Sequence, residues 1–100
     1  MEQMRSLVLP PLASLMISPY ALAQSTQKLG SATVATIVQS NGDHDITVTA
    51  GADSEHMDHS NGTCVNVPPN GNSGTVTLKP GETVKISVGG GHFLTITNTP

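Results

Sequence analysis

The fold class is indicated most clearly by residues 44–50, which read His-Asp-Ile-Thr-Val-Thr-Ala. Ile46, Val48 and Ala50 alternate with polar residues, so every second side chain is apolar. Successive side chains of a β-strand point to opposite faces of a sheet, and this period of two is typical of a strand with one buried face. The tripeptide before it, Asn41-Gly42-Asp43, is a strong turn signal. The stretch therefore predicts a half-buried strand that begins at a turn.

Similar patterns occur on both sides of this strand. Residues 83–88 place Val84, Ile86 and Val88 on one face, and Lys79-Pro80-Gly81-Glu82 before them fits a type II turn. No window has helical periodicity, and the many threonines favour strands. Further short strands are predicted at 32–39, 64–67, 75–78 and 92–97, while 51–63 and 66–74 have loop composition. Residues 32–100 are therefore predicted to be all-β, a small antiparallel β-sandwich of about six strands.

The N-terminal residues 1–23 have the features of a signal peptide. A short segment containing Arg5 precedes an uncharged apolar run over 7–17, and Ala21-Leu22-Ala23 supplies the small residues of a cleavage site. The run is shorter than the ~20 residues that a membrane span needs. We therefore expect an exported protein, periplasmic or extracellular, with no membrane span in its mature form. Residues 24–31 then form a polar leader.

Composition excludes several classes of function. The net charge is −3, and Phe93 is the one aromatic residue after the predicted cleavage site, so nothing in the chain favours a nucleic-acid surface. Cys64 is the single cysteine, so no internal disulfide can form. No arrangement of nucleophile, base and oxyanion site is recognisable, and we do not expect an enzyme.

Two regions carry residues that could bind a metal. The first combines imidazole, thioether and thiol groups, which together suit copper and above all Cu(I). Its members are His56, Met57, His59 and Cys64, with Asp53, Glu55 and Asp58 among them. The second is His92, which follows Gly89-Gly90-Gly91 and shares a strand face with Leu94 and Ile96. The alternatives are a solvated acidic loop, a weak zinc site of His56, Asp58 and His59, and a half-exposed histidine at a strand end.

Three stretches resemble the periplasmic copper chaperones of the PCuAC family. They are residues 35–43, Ser54-Glu55-His56-Met57, and residues 80–84 running on to 89–94. The resemblance implies a cupredoxin-like fold that binds Cu(I) through histidines and methionines, and it carries over His56, Met57 and His92 as ligands. The family has a methionine two positions after its second histidine, where this chain has Leu94. His59 and Cys64 are then the candidates to complete the ligand set.

The functional hypothesis is an exported copper-binding protein, or copper chaperone, that passes Cu(I) to a copper-accepting protein. One alternative is a metal-free secreted β-sandwich module that binds a partner, for example by adding a strand at a sheet edge. Another is a fragment of a longer protein.

Overall fold

The computed structural model describes residues 21–100, and within this range every regular element is a β-strand. Two antiparallel sheets of four strands each are formed, the first in the order β1-β2-β3-β6 and the second in the order β5-β4-β7-β8. The strands are β1 (Ala21–Leu29), β2 (Ala32–Gln39), β3 (His44–Thr49), β4 (Glu55–His59), β5 (Cys64–Val67), β6 (Ser73–Leu78), β7 (Thr83–Val88) and β8 (His92–Thr97). The prediction of an all-β fold is confirmed.

The hydrophobic core lies between the two sheets and receives alternate side chains from both. Its buried members are Ala32, Val34, Ile46, Val48, Ala50, Val76 and Leu78 from the first sheet and its connections, and Met57, Val67, Val84, Ile86 and Val88 from the second. The predicted inward positions of β3 and β7, together with Ala50 after β3, are all among them. A sheet face buried against a second sheet is the arrangement of a β-sandwich.

The predicted type II turn before β7 is also confirmed. Gly81 has a φ of 91°, and the amide of Glu82 donates to the carbonyl of Lys79 at 3.0 Å. A positive φ at the third turn position is readily adopted by glycine, while Pro80 fixes the φ before it. The turn reverses the chain from the first sheet into the second.

The structure differs from the sequence-based prediction at residues 24–31. Instead of a leader, most of this segment belongs to β1, which pairs antiparallel with β2 through a turn at Gly30 and Ser31. Strand pairing uses backbone groups, so a strand with few apolar side chains can still add to a sheet edge. The predicted signal peptide falls largely on residues 1–20, which lie outside the described residues.

A second difference lies in residues 51–63, which were predicted to be a loop. This segment contains β4, an inner strand of the second sheet that pairs with both β5 and β7. Glu55 and Met57 point inward and are buried, whereas Asp58 is exposed. The side chains therefore alternate between buried and exposed, as in any half-buried strand. A charged residue occupies one of the inward positions, so the sequence has no alternation of apolar and polar residues here.

No helix in residues 21–100 has the length and apolar character to cross a membrane.

Candidate metal centre

Two neighbouring strands place four polar side chains together on the outer face of the second sheet. His56 and Asp58 lie on β4, and Cys64 and Asn66 lie on β5. In the antiparallel register His56 is opposite Asn66, and Asp58 is opposite Cys64. Side chains two apart on one strand and opposite each other across strands share a face. The period of two therefore gathers these four groups into one compact cluster.

Oδ1 of Asp58 is at the centre of the cluster. It accepts hydrogen bonds from Nε2 of His56 at 2.8 Å and from Sγ of Cys64 at 2.9 Å. On the other side of the imidazole, Nδ1 donates to Oδ1 of Asn66 at 2.6 Å. One nitrogen, one oxygen and one sulfur atom, from His56, Asp58 and Cys64, all lie within 4.8 Å of one another.

These hydrogen bonds change the acidity of all three groups. The bonds to Asn66 and then to Asp58 raise the pKa of His56, because both favour the protonated ring. The bonds from Cys64 and then from His56 hold the pKa of Asp58 below its usual range. The bond to Asp58 raises the pKa of the Cys64 thiol, because a thiolate beside the carboxylate is disfavoured. Two protons therefore converge on one carboxylate oxygen.

The donor set suits a tetrahedral metal ion. Zn²⁺ accepts imidazole nitrogen, thiolate sulfur and carboxylate oxygen at about 2.0–2.3 Å, and such bonds place neighbouring ligand atoms about 3.5 Å apart. In the cluster Oδ1 of Asp58 lies 2.8 Å from Nε2 of His56 and 2.9 Å from Sγ of Cys64, so these two pairs would have to move slightly apart to reach that spacing around an ion. The hydrogen bond to Asn66 fixes the ring with Nε2 toward Asp58, as partners of the second nitrogen commonly do for metal-bound histidine.

Met57 does not join this cluster, although it follows His56 in the chain. Its side chain is 0% exposed and belongs to the core between the sheets. The side chain of His56 is 42% exposed on the opposite face. Consecutive residues of a strand point in opposite directions, so these two side chains cannot reach one ion without breaking the strand.

His92 is also separated from the cluster. It pairs with Val88, and directly opposite residues of two strands share a face, so His92 lies on the inner side at the rim of the sheet. Its ring is near the β1–β2 turn, where a Cβ added to Gly30 would lie 3.2 Å from Cδ2 of His92. The set His56, Met57 and His92 carried over from the copper chaperones is therefore not assembled, and no Cu(I) site of that composition fits.

His59 has a different partner. Its Nε2 lies 2.9 Å from Oε1 of Glu82, and its side chain is only 8% exposed. The same Glu82 oxygen accepts the backbone amide of Lys79 at 2.9 Å, and that bond, followed by the one with His59, holds the pKa of Glu82 below its usual range. His59 thus ties β4 to the turn before β7.

Of the five predicted ligands, the structure brings together His56 and Cys64. Of the two residues that complete the cluster, Asp58 is predicted from the sequence only as part of a weak zinc site with His56 and His59, and Asn66 is not predicted at all. The signal that could have found them is the same-face spacing in His56-Met57-Asp58 and Cys64-Val65-Asn66, once both segments are read as paired strands.

Comparisons with protein-family models, with curated proteins and with solved structures found no match to the chain. The resemblance to copper chaperones therefore rests on the three sequence stretches alone.

Proposed function

We propose that this is an exported metal-binding protein that holds one ion through His56, Asp58 and Cys64. The observation that supports this most strongly is the convergence of their nitrogen, oxygen and sulfur donors within 4.8 Å on one exposed sheet face. The hydrogen bond from His56 to Asn66 holds the imidazole ring in the orientation that binding an ion requires. Export rests on the signal-peptide features of residues 1–23.

Zn²⁺ is the ion that the donor set favours. A carboxylate is a hard ligand, and together with imidazole and thiolate it suits a divalent borderline ion better than Cu(I). Copper, as Cu(I), is the second candidate, because thiolate and imidazole bind it well. The ligand set for either ion is the cluster on the outer face, without Met57 and His92.

The position of the cluster favours reversible binding and transfer. The side chains of His56 and Asp58 are 42% and 49% exposed, so ligands from an acceptor protein have a route to the ion. Structural zinc sites are closed by four protein ligands, whereas three ligands leave one position open. A carrier that passes its ion to an acceptor protein needs such an open coordination position.

The proposal is tested by competition titrations of the purified protein against chromophoric chelators, with Zn²⁺ and Cu(I) in separate series. We expect one tightly bound Zn²⁺ per chain. His56→Ala, Asp58→Asn and Cys64→Ser should each weaken it strongly, and Asn66→Ala should weaken it by about 10–100-fold, as for other residues that orient a ligand.

His92→Ala is the matched control, because it removes an exposed histidine from the opposite side of the same sheet. Its affinity should equal that of the unaltered protein. If His92→Ala were as damaging as His56→Ala, the ligand set of the copper chaperones would be correct instead. If neither ion bound, the metal-free interaction module would be the better account of the function.

A further inference from the structure

The outer face of the second sheet continues beyond the three proposed ligands to a cation and an aromatic ring. Lys85 on β7 is directly opposite Asp58, and Phe93 on β8 is opposite Ser87. The Lys85 ammonium lies 5.1 Å from the centre of the Phe93 ring. Phe93 is 64% exposed, and within residues 24–100 it is the large apolar side chain that lies in water.

When a divalent ion is bound, the ion, its three ligands and Lys85 together carry a positive charge. The carboxylate of Asp58 and the thiolate of Cys64 cancel the two charges of a divalent ion, and His56 is neutral when it is a ligand. The ammonium of Lys85 therefore gives the occupied site a net charge of about +1. Its charge is close enough to Asp58 to contribute to the low pKa of that carboxyl group. The chain as a whole has a net charge of −3, so this face differs in sign from the rest of the molecule.

The open coordination position and the positive charge both favour an anion. A carboxylate can bind the ion directly and also accept a hydrogen bond from the Lys85 ammonium. Phe93 lies two strands from Asp58 across the sheet and is offset by two residues along the strands, because it pairs with Ser87, which is opposite His56; at the usual spacings the separation is about 12 Å. A ligand that reaches from the ion to the exposed ring must therefore carry its apolar group a few bonds away from its carboxylate.

We propose that the metal-occupied face binds a small aromatic carboxylate, with its carboxylate on the ion beside Lys85 and its ring against Phe93. This inference rests on the metal site proposed above. It assigns the face a ligand of defined chemistry, and it gives a role to Phe93, the large apolar side chain that is exposed within residues 24–100.

The test uses the Co²⁺-loaded full-length protein, because the visible absorption of Co²⁺ reports changes in its coordination. The protein is titrated with 3-phenylpropanoate and, as the matched ligand without a ring, propanoate. We expect both to perturb the spectrum, with 3-phenylpropanoate binding about 3–10-fold more tightly, which is the gain usual for one added aromatic contact.

Three variants assign the contacts. Phe93→Ala should reduce the affinity for 3-phenylpropanoate to that for propanoate, and Lys85→Met should weaken both ligands. Thr95→Ala is the control, because Thr95 is opposite Lys85 and should not alter the difference between the two ligands. Equal affinity of the unaltered protein for both carboxylates would overturn this inference alone. Failure of Co²⁺ to bind would overturn the metal site as well.

Discussion

The side chain of Asn98 is joined to the carbonyl of Gly42, although the two residues are far apart in the chain. Nδ2 of Asn98 donates to the Gly42 oxygen at 2.8 Å and to the Leu78 oxygen at 2.9 Å. Asn98 is 2% exposed and follows β8, so these bonds attach the end of the second sheet to the β2–β3 turn and to the end of β6 in the first. One side chain thus links the two sheets.

Asn98→Ala should lower the free energy of unfolding by about 2–4 kcal/mol, because it leaves two carbonyl groups without their donor in a buried place. Thermal or urea unfolding followed by far-ultraviolet circular dichroism measures the change. Asn72→Ala is the control, since Asn72 is exposed and donates only to the Pro69 oxygen. An equal drop in the free energy of unfolding in both variants would mean that the hydrogen bonds of Asn98 stabilise the fold no more than an exposed side-chain bond does.

Glu55 is the buried charged residue of the described chain, and its carboxyl group lacks partners. It is 2% exposed, and neither oxygen has a hydrogen bond within residues 21–100. Burial, and then the nearby charge of Asp53, raise the pKa of Glu55. The folded state therefore favours the protonated carboxyl group, and ionisation opposes folding.

Glu55→Met should raise the free energy of unfolding at neutral pH by about 1–3 kcal/mol, because it removes a buried group without partners. Because folding raises the pKa of Glu55, its protonated carboxyl group favours folding fully below the unfolded pKa of about 4.3. That favourable contribution to stability is lost as the pH rises through the folded pKa. The gain should therefore shrink at pH 4. In the control, Glu82→Met removes a carboxylate with partners and should lower stability instead. A gain that is the same at both pH values would contradict this account of Glu55.

The titration of His56 tests the cluster without a metal. Because the pKa of His56 is raised by Asn66 and Asp58, its protonated ring favours folding fully below the ordinary value of about 6.5, and the contribution disappears as the pH rises through the raised pKa. Nuclear magnetic resonance of the histidine ring should therefore show a midpoint above the ordinary value. Asn66→Ala and Asp58→Asn should each lower that midpoint. An unchanged midpoint in both variants would show that the hydrogen bonds are not formed in solution.

Gly51 lets the β3–β4 connection approach Ser31 in the β1–β2 turn more closely than any side chain would allow. A Cβ at this position would overlap the carbonyl oxygen of Ser31 and lie 2.6 Å from its Cβ. Gly51→Ala should cost about 1–3 kcal/mol of stability, because backbone must move to make room. At Gly89 an added Cβ would lie 3.2 Å from the Cβ of Asp53, a much milder contact. Gly89→Ala should therefore lower the free energy of unfolding by less than Gly51→Ala. The reverse order in unfolding experiments would contradict the packing described.

The sequence predicts most clearly the strands whose inward positions are all apolar. β3 and β7 were found because Ile46, Val48, Val84, Ile86 and Val88 repeat at every second residue. β1 was missed because an edge strand is held by backbone hydrogen bonds, which leave no pattern in the side chains. β4 was missed because Glu55 occupies an inward position, where a charged residue argues against a strand.

The candidate site was predicted in part for the same reason. With β4 read as a loop, His56 and Met57 could point in the same direction, and both were selected as ligands. A strand sends them to opposite faces and gives His56 the neighbours Asp58 and Asn66 instead. Cys64 is selected from the sequence for its soft sulfur, but its pairing with Asp58 depends on the register between β4 and β5, which no local pattern fixes.

The most direct test of the metal site is zinc-edge X-ray absorption of the Zn²⁺-loaded protein, compared with Cys64→Ser. The proposed ligands predict one sulfur at about 2.3 Å and nitrogen or oxygen neighbours at about 2.0–2.2 Å, with a histidine signal in the outer shells. The sulfur should disappear in Cys64→Ser, and the histidine signal should disappear in His56→Ala but persist in His92→Ala. A shell of nitrogen and oxygen atoms only, unchanged in all three variants, would contradict the claim that His56, Asp58 and Cys64 hold the ion.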